Sequence, residues 1–248
     1  MAKVRQVIYG GVTAVGEMSW LLFVFVGISL LLALLLKSVP AVDDFASTVP
    51  GTLLLNSLVY LAVLAIVIVP ATFRHNGAYV RQLLGVQSRP DRRIFWLPPL
   101  AWLGYMTLTV IAGMIAYALS TYYFNIDLDQ AQETGFDNLK LPLEYIIAFI
   151  ALVIMPPIAE ELLFRGYLYG RLRRRMNFWW TTLFVSVLFG FVHGQWNVGI
   201  DTFVLSLFLC GLREYTGTIW ASMVLHGIKN FVAYFFLFIA PLLGLNVL

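Results

Sequence analysis

The sequence predicts an all-α protein, a polytopic transmembrane helical bundle of about seven spans, or eight if the C-terminal tail holds a further turn. Three observations lead to this prediction. Of the 248 residues, 60% are hydrophobic and 12% are charged, whereas about 25% of the residues of a soluble domain are charged. Apolar segments near the length of a membrane span recur along the chain. Basic residues concentrate in alternate connections between those segments, as in multi-pass membrane proteins.

The predicted spans follow from length, because a helix needs about 20 mostly apolar residues to cross the hydrocarbon core. They are Met18–Leu36, Thr52–Thr72, Ile94–Tyr117, Leu143–Phe164, Phe178–Val192, Val198–Leu212 and Ile219–Leu243. The fifth and sixth are shorter than the others. Two connections, Arg74–Arg93 and Tyr167–Met176, mix arginines with apolar residues and are predicted to hold interfacial amphipathic helices. The polar segment Asn125–Leu139 is predicted to be an external loop.

Loop charges predict the orientation of the bundle. The basic connections carry Lys3 and Arg5, then Arg74, Arg81, Arg89, Arg92 and Arg93, then Arg171, Arg173, Arg174 and Arg175. The intervening connections carry Asp43, Asp44, Asp127, Asp129, Glu133 and Asp137. By the positive-inside rule the N-terminus is expected to be cytoplasmic. The same pattern accounts for the net charge of +3 and the pI near 9.0, so no nucleic-acid partner is expected.

Three helix-spaced polar motifs lie inside the apolar C-terminal half. They are Glu160 and Glu161 with Arg165, then Phe189 with His193, then His226 with Asn230. An ionisable group at the centre of a membrane helix costs at least about 2.5 kcal/mol. Carboxylate, imidazole and carboxamide groups on three such segments therefore indicate one site that several helices assemble.

The two adjacent glutamates point about 100° apart on a helix and are expected to differ in role. Glu161 and Arg165 have the i,i+4 spacing of an ion pair. Glu160 has no local partner, and the kink expected at Pro156 and Pro157 could open space beside it. A Glu–Arg pair that only fixes helix packing is the alternative for this motif.

The side chains favour hydrolysis of an acyl bond with water as the nucleophile. Glu160 and His193 can orient and deprotonate a water, while His226 and Asn230 can donate hydrogen bonds to an oxyanion. Phe189 is expected to pack, and the single cysteine, Cys210, gives no multi-cysteine metal site. A zinc version of the site, with Glu160, His193 and His226 as ligands, stays open because the spacing does not choose between the two.

The ordered set of motifs resembles a known family. The segments Glu160-Glu161-Leu-Leu-Phe-Arg165, Phe189-Gly-Phe-Val-His193 and His226-Gly-Ile-Lys-Asn230 are similar to the EExxxR, FxxxH and HxxxN signature of the CPBP family of CAAX proteases and bacteriocin-processing enzymes, also called the Abi family. The resemblance covers roughly Leu143–Tyr234. It implies an all-helical intramembrane endopeptidase in which Glu160 and His193 activate water, His226 and Asn230 form the oxyanion hole, and Glu161 and Arg165 support them.

The resemblance also sets expectations about cofactor, substrate and domains. The family has been described both as metalloproteases and as glutamate-dependent proteases; we favour the latter, with no cofactor, and keep zinc as the alternative. The expected partners are a protein or peptide substrate, which is prenylated in eukaryotic members, and membrane lipid. One domain, 1–248, is expected in a prokaryotic cell membrane, with motif-free spans over 1–142 and the CPBP-like catalytic core over 143–240.

Two other classes of function compete with the enzyme. A non-catalytic bacteriocin-immunity or scaffolding protein could keep the same fold, but it would not need Glu160, His193, His226 and Asn230 together. A transporter with a buried proton relay is disfavoured because the sequence shows no paired half-repeats.

Overall fold

The computed structural model describes residues 2–124, 128, 134–136 and 139–245, with all of their side chains except those of 2–9, 40, 41 and 124. The described residues form helices and no strands, which confirms the all-α prediction. Most of the predicted external loop lies outside the described residues. So do Asp127, Asp129, Glu133 and Asp137, together with the side chains of Lys3 and Arg5.

The N-terminal half contains α1 (Ala2–Ser38), α2 (Pro40–Ala46), α3 (Val49–Arg74), α4 (Gly77–Leu84) and α5 (Leu97–Leu119). The C-terminal half contains α6 (Pro142–Phe149), α7 (Met155–Glu160), α8 (Tyr169–Arg173), α9 (Phe178–Phe191), α10 (Trp196–Thr216), α11 (Trp220–Tyr234) and α12 (Ala240–Leu242). A 3₁₀ turn, Arg92–Phe95, precedes α5. Wider π-helical turns extend α5, α6, α7 and α11 over Ser120–Phe124, Ile150–Ile154, Glu161–Leu168 and Phe235–Ile239.

Five helical segments are long and apolar enough to cross a membrane: Gly10–Ser38, Val49–Arg74, Leu97–Tyr123, Pro142–Arg173 and Trp220–Leu242. They coincide with five of the seven predicted spans, and the protein is an integral membrane protein. The other two predicted spans are also helical, as α9 and α10. With 14 residues, α9 is about 21 Å long, shorter than the hydrocarbon core of about 30 Å.

The fourth span is longer than predicted. It forms one helical segment from Pro142 to Arg173, so the separate interfacial helix predicted over Tyr167–Met176 is wrong. The reason is burial: Leu168 and Leu172 are fully buried and hold this segment inside the bundle.

The connection between the second and third spans does contain a short amphipathic helix. Its buried residues are Val80, Leu83 and Leu84. The Asn76 side chain accepts a hydrogen bond from the Tyr79 N–H at its start, and Gly85 ends it with a φ of 72°, a conformation that glycine adopts at little cost. The segment Arg74–Arg93 thus contains an amphipathic helix as predicted, and its apolar face packs into the bundle; its position at the membrane interface stays a prediction.

The fourth span lies at the centre of the main hydrophobic cluster. Residues from α1, α3, α4, α9 and α10 pack around it, and they include Leu21, Val63, Leu83, Phe189 and Cys210. This packing places the residues that follow Pro157 against both the N-terminal spans and the α9–α10 hairpin. The motifs on the fourth span and on α9 therefore lie against each other, and α11, which carries the third motif, also packs against the fourth span.

Candidate active site

Glu160 is the last residue of α7, and its carboxylate is held by a residue from the N-terminal half. The Tyr60 hydroxyl, on α3, donates to Glu160 Oε1 at 2.6 Å. Glu160 Oε2 has no hydrogen-bond partner among the described residues, and it lies 3.8 Å from His226 Nε2. One carboxylate oxygen is thus fixed and the other remains available.

Glu161 is a fully buried acceptor that joins two of the motifs. Arg165 Nη1 donates to its Oε1 at 3.0 Å, as the i,i+4 spacing predicts. His226 Nδ1 lies 3.0 Å from the same oxygen. Because a carboxylate can only accept, His226 Nδ1 must carry the proton of this bond. Glu161 therefore orients the imidazole of His226 as well as pairing with Arg165.

Phe189 is a fully buried ring at the centre of the motifs. The Arg165 guanidinium carbon lies 4.2 Å from the centroid of the ring. The rings of His193 and His226 pack against it at centroid distances of 5.0 and 5.8 Å. An aromatic face attracts a cation most strongly when the pair is desolvated. Phe189 thus helps to hold Arg165 and both histidines.

His193 lies just after the end of α9, in the turn before α10. Its Nδ1 is 2.6 Å from the Phe189 carbonyl oxygen, so Nδ1 carries a proton and Nε2 is left for other partners. Gly194 has a φ of 71° and no atom within 4 Å of a Cβ built on it. This glycine therefore serves the turn and not a close helix contact.

A close approach of two helices occurs at Gly190. A Cβ at Gly190 would lie 2.6 Å from the Gly199 carbonyl oxygen of α10, a distance that real Cβ contacts do not show. The absence of a side chain at Gly190 therefore lets α9 and α10 touch one turn before His193.

Asn230 lies one turn after His226 on α11, and its side chain repairs the break in the fourth span. Its Nδ2 donates to the Leu152 carbonyl oxygen at 3.0 Å. That carbonyl would normally accept from residue 156 or 157, but both are prolines and lack an N–H group. The nearby N–H of Met155 does not serve this carbonyl either, because it donates to the Ile150 carbonyl. One amide hydrogen of Asn230 is thus used in the bond to Leu152, and the second can donate to another acceptor.

A cavity of about 200 Å³ opens beside the motifs. Its polar lining residues are Tyr60, Glu160 and His193. The rest of the wall is apolar and comes largely from α1, α3 and α9, with Leu21, Leu22, Phe25, Val63, Leu188 and Val192 among the lining residues. The N-terminal spans carry no motif, yet they complete this cavity.

The side chains proposed as zinc ligands are Glu160, His193 and His226. Among the described residues, no group of three His, Cys, Asp or Glu side chains lies at positions that could hold a metal ion. His226 Nδ1 and His193 Nδ1 both bond to protein oxygens. Since a zinc-bound histidine usually donates its other ring N–H to a protein oxygen, these two bonds are compatible with either form of the site.

Sequence reasoning missed four residues near the motifs. Tyr60 carries no signal, since tyrosine is common in membrane helices. Lys229 and Asp201 form an ion pair between α11 and α10 at 3.4 Å, and the Tyr105 hydroxyl donates to Asp201. A lysine and an aspartate inside apolar segments are the signal that could have identified this pair.

Comparisons with known proteins agree with the motifs. Residues 142–232 match the family model described as "Type II CAAX prenyl endopeptidase Rce1-like". The chain is also 29% identical over 124 residues to a protein of Bacillus subtilis (strain 168) named "Putative membrane peptidase YdiL", and the match covers 48% of this chain and 47% of that protein. The chain thus spans about half the length of the curated relative that it matches. No solved structure matches. The resemblance recognised from the three motifs is thus confirmed for the segment 142–232, which matches the Rce1-like family model.

Proposed function

We propose that this protein is an intramembrane endopeptidase that hydrolyses peptide bonds of protein or peptide substrates. The observation that carries the proposal is the convergence of Tyr60, Glu160 and His193 on one cavity, with His226 Nε2 3.8 Å from Glu160 Oε2. Ionisable groups are costly inside a membrane. Hydrolysis of a peptide by water in this cavity would account for their presence. The Rce1-like segment supports the same reaction class.

The first half of the mechanism activates water. Tyr60 fixes Glu160 Oε1, which leaves Oε2 to take a proton from a water in the cavity. His193 Nε2 accepts the second hydrogen of that water and orients its lone pair toward the scissile carbonyl. The water oxygen then adds to the carbonyl carbon, and the electrons of the C=O bond move to the carbonyl oxygen.

The second half stabilises the oxyanion and releases the amine. Donation from both ring nitrogens requires the doubly protonated form of His226, because Nδ1 already donates to Glu161. That form of His226 donates from Nδ1 to Glu161 and from Nε2 to the oxyanion, together with the second amide hydrogen of Asn230. When the C–N bond breaks, Glu160 returns its proton to the leaving nitrogen.

A cleavage assay on the purified full chain in lipid nanodiscs tests the proposal. With a peptide library as substrate, Glu160→Gln should lower kcat by about 10²–10⁴-fold, the usual contribution of a general base. His226→Gln should lower kcat by about 10²–10³-fold, the usual contribution of an oxyanion donor. Asp91→Asn, on an exposed loop carboxylate, is the matched control and should cleave like the wild type.

Two results would contradict the assignment. Equal cleavage by the wild type and by Glu160→Gln would remove Glu160 from the mechanism. A folded wild type that cleaves no peptide in any lipid would favour the non-catalytic immunity or scaffolding protein instead.

The metal-free form of the reaction needs its own measurement. We propose that water activation relies on Glu160 and His193 without a metal, because no group of three candidate ligands among the described residues is placed to hold a metal ion. Activity should survive a strong chelator in protein that elemental analysis finds free of zinc. Loss of activity on chelation, with recovery on adding zinc, would establish the zinc version.

Prenylation of the substrate is a separate question that the same assay can answer. Two peptides that differ only by a prenyl group on one cysteine should be compared by kcat/KM. A preference of tenfold or more for the prenylated peptide would place this protein with enzymes that process prenylated CAAX proteins. Equal values would indicate an unmodified peptide substrate.

A further inference from the structure

Two adjoining cavities flank α3 at the end of the bundle where Arg74 and Arg171 lie, which we call the arginine-rich end. The first, of about 490 Å³, lies against the outer side of α3. Its lining is apolar except at one end: Ala65, Ile66, Val69, Pro70, Phe73 and Arg74. The second, of about 310 Å³, lies between α1, α3 and the fourth span. Both are lined by Ile66, Pro70 and Arg74, so they adjoin along α3, and we refer to the two together as the α3 depression.

The second cavity carries an excess of positive charge. Its polar lining residues are Arg74, His75, Tyr167 and Arg171. The charge of Arg171 is balanced by Glu17, whose carboxylate also accepts from Tyr167 at 3.0 Å. Among the described residues Arg74 forms no ion pair, and its side chain is exposed. Arg74 therefore contributes a positive charge that is not balanced within this cavity.

An apolar surface that ends at an arginine complements one class of membrane molecule. Phe73, which is 86% exposed, and Val69 offer an acyl chain a surface at membrane depth. An arginine guanidinium binds phosphate through two parallel hydrogen bonds. Trp20, which also lines the second cavity, is of the residue type that collects at the level of lipid headgroups.

We propose that this depression binds an anionic glycerophospholipid, with its phosphodiester beside Arg74 and one acyl chain along Val69 and Phe73. The bound lipid bridges α3 and the fourth span, because Tyr167 and Arg171 belong to the latter. Binding should therefore resist the separation of these two segments. The site lies about 16 Å along the fourth span from Glu160, at 1.5 Å per residue over 11 residues, and does not depend on the proposed peptidase reaction.

Lipid titration of the purified full chain tests the proposal. Phosphatidylglycerol and phosphatidylcholine with identical acyl chains are added to detergent-solubilised protein, and the bound lipid and the melting temperature are measured by native mass spectrometry and thermal scanning. The wild type should bind phosphatidylglycerol at least tenfold more tightly and melt at a higher temperature with it. Arg74→Gln should lose this preference by roughly 10–100-fold, the range for one charge-assisted bidentate contact.

Arg81→Gln is the matched control, since Arg81 is an exposed arginine on α4 that lines neither cavity. A diffuse attraction to anionic lipid is worth about 1 kcal/mol per arginine, or about fivefold, and would affect both variants equally. Equal losses in Arg74→Gln and Arg81→Gln would thus overturn the proposal. So would a preference that survives in Arg74→Gln, or inorganic phosphate alone that raises the melting temperature as much as phosphatidylglycerol does.

Discussion

The Glu161 carboxylate has two donors, and this sharing explains why the adjacent glutamates differ. Arg165 and His226 both bond to Oε1 of a side chain that is fully buried. A buried carboxylate is tolerated only when it is paired and hydrogen-bonded, so Glu161 is committed to structure. Each glutamate keeps one oxygen without a partner in the described part of the chain, but Glu160 lines the cavity whereas Glu161 is fully buried. The difference suits Glu160, and not Glu161, to accept a proton.

Tyr60 should be a positioning residue that acts through Glu160. Tyr60→Phe removes the hydroxyl that bonds to Oε1 and leaves the ring in place. Because a small misplacement of a reacting group costs up to about 10²-fold, kcat should fall by roughly 10–100-fold while KM stays near the wild-type value. Steady-state kinetics on one peptide measures both constants.

Ser57→Ala is the control for Tyr60→Phe. Ser57 lies on the same helix, one turn away, and its hydroxyl bonds to the Leu53 carbonyl and to Met155 Sδ of the fourth span. This variant thus removes a contact between α3 and the fourth span without touching Glu160, and it should keep the wild-type kcat. An equal fall of kcat in both variants would mean that α3 matters only for packing. A rise of KM alone in Tyr60→Phe would place Tyr60 in substrate binding instead.

Among the elements, the fourth span depends on a side chain from another helix. The prolines at 156 and 157 leave the Leu152 carbonyl without a backbone donor, and Asn230 supplies one. Asn230→Ala should lower the free energy of unfolding by about 1–3 kcal/mol, the cost of an unsatisfied buried polar group. For a chain of this size that is roughly 2–4 °C in melting temperature per kcal/mol.

The double variant tests the cause of that loss. Pro156→Ala restores an N–H group at position 156, so Asn230→Ala should cost less stability in the Pro156→Ala background than in the wild type. Thermal scanning of all four proteins gives the coupling free energy. Fully additive losses would show that Asn230 stabilises the fold by some contact other than the bond to Leu152.

The α9–α10 hairpin sets the position of His193 through a glycine contact. Gly190→Ala places a methyl group 2.6 Å from the Gly199 carbonyl oxygen, so the two helices must move apart. We expect a lower melting temperature and a loss of peptide cleavage of about 10²-fold. Gly211→Ala, on α10 and with nothing within 4 Å of its Cβ, is the control and should be neutral or stabilising. Full activity in Gly190→Ala would show that the hairpin tolerates a wider spacing.

For the whole molecule, orientation follows from charge and not from packing. The basic connections predict that the N-terminus and the arginine-rich end are cytoplasmic. An alkaline phosphatase fusion at Asp44 should be active, because this enzyme works only outside the cytoplasm, and a green fluorescent protein fusion at Arg89 should fluoresce. The reverse pattern would invert the membrane orientation and place the motifs nearer the outer surface.

The sequence by itself determined the fold class, most of the spans and the three motifs. Apolar length identifies a membrane helix because the bilayer has a fixed thickness, and the i,i+4 spacing of Glu161 and Arg165 is local geometry on one helix. The sequence predicts that the fourth span ends at Phe164, which is too early. Its last part, up to Arg173, is helical because it is buried between neighbouring helices, and hydropathy does not report that burial.

Only the tertiary structure decided how the motifs meet. In the folded chain His226 bonds to Glu161 and Tyr60 bonds to Glu160. Asn230 donates to the Leu152 carbonyl, which the prolines leave without a backbone donor. Residues of α1 and α3 form much of the cavity wall. These contacts join residues 65 to 100 positions apart. They depend on how whole helices pack against one another. Spacing along the sequence predicts contacts within one helix, but it does not predict which helices become neighbours.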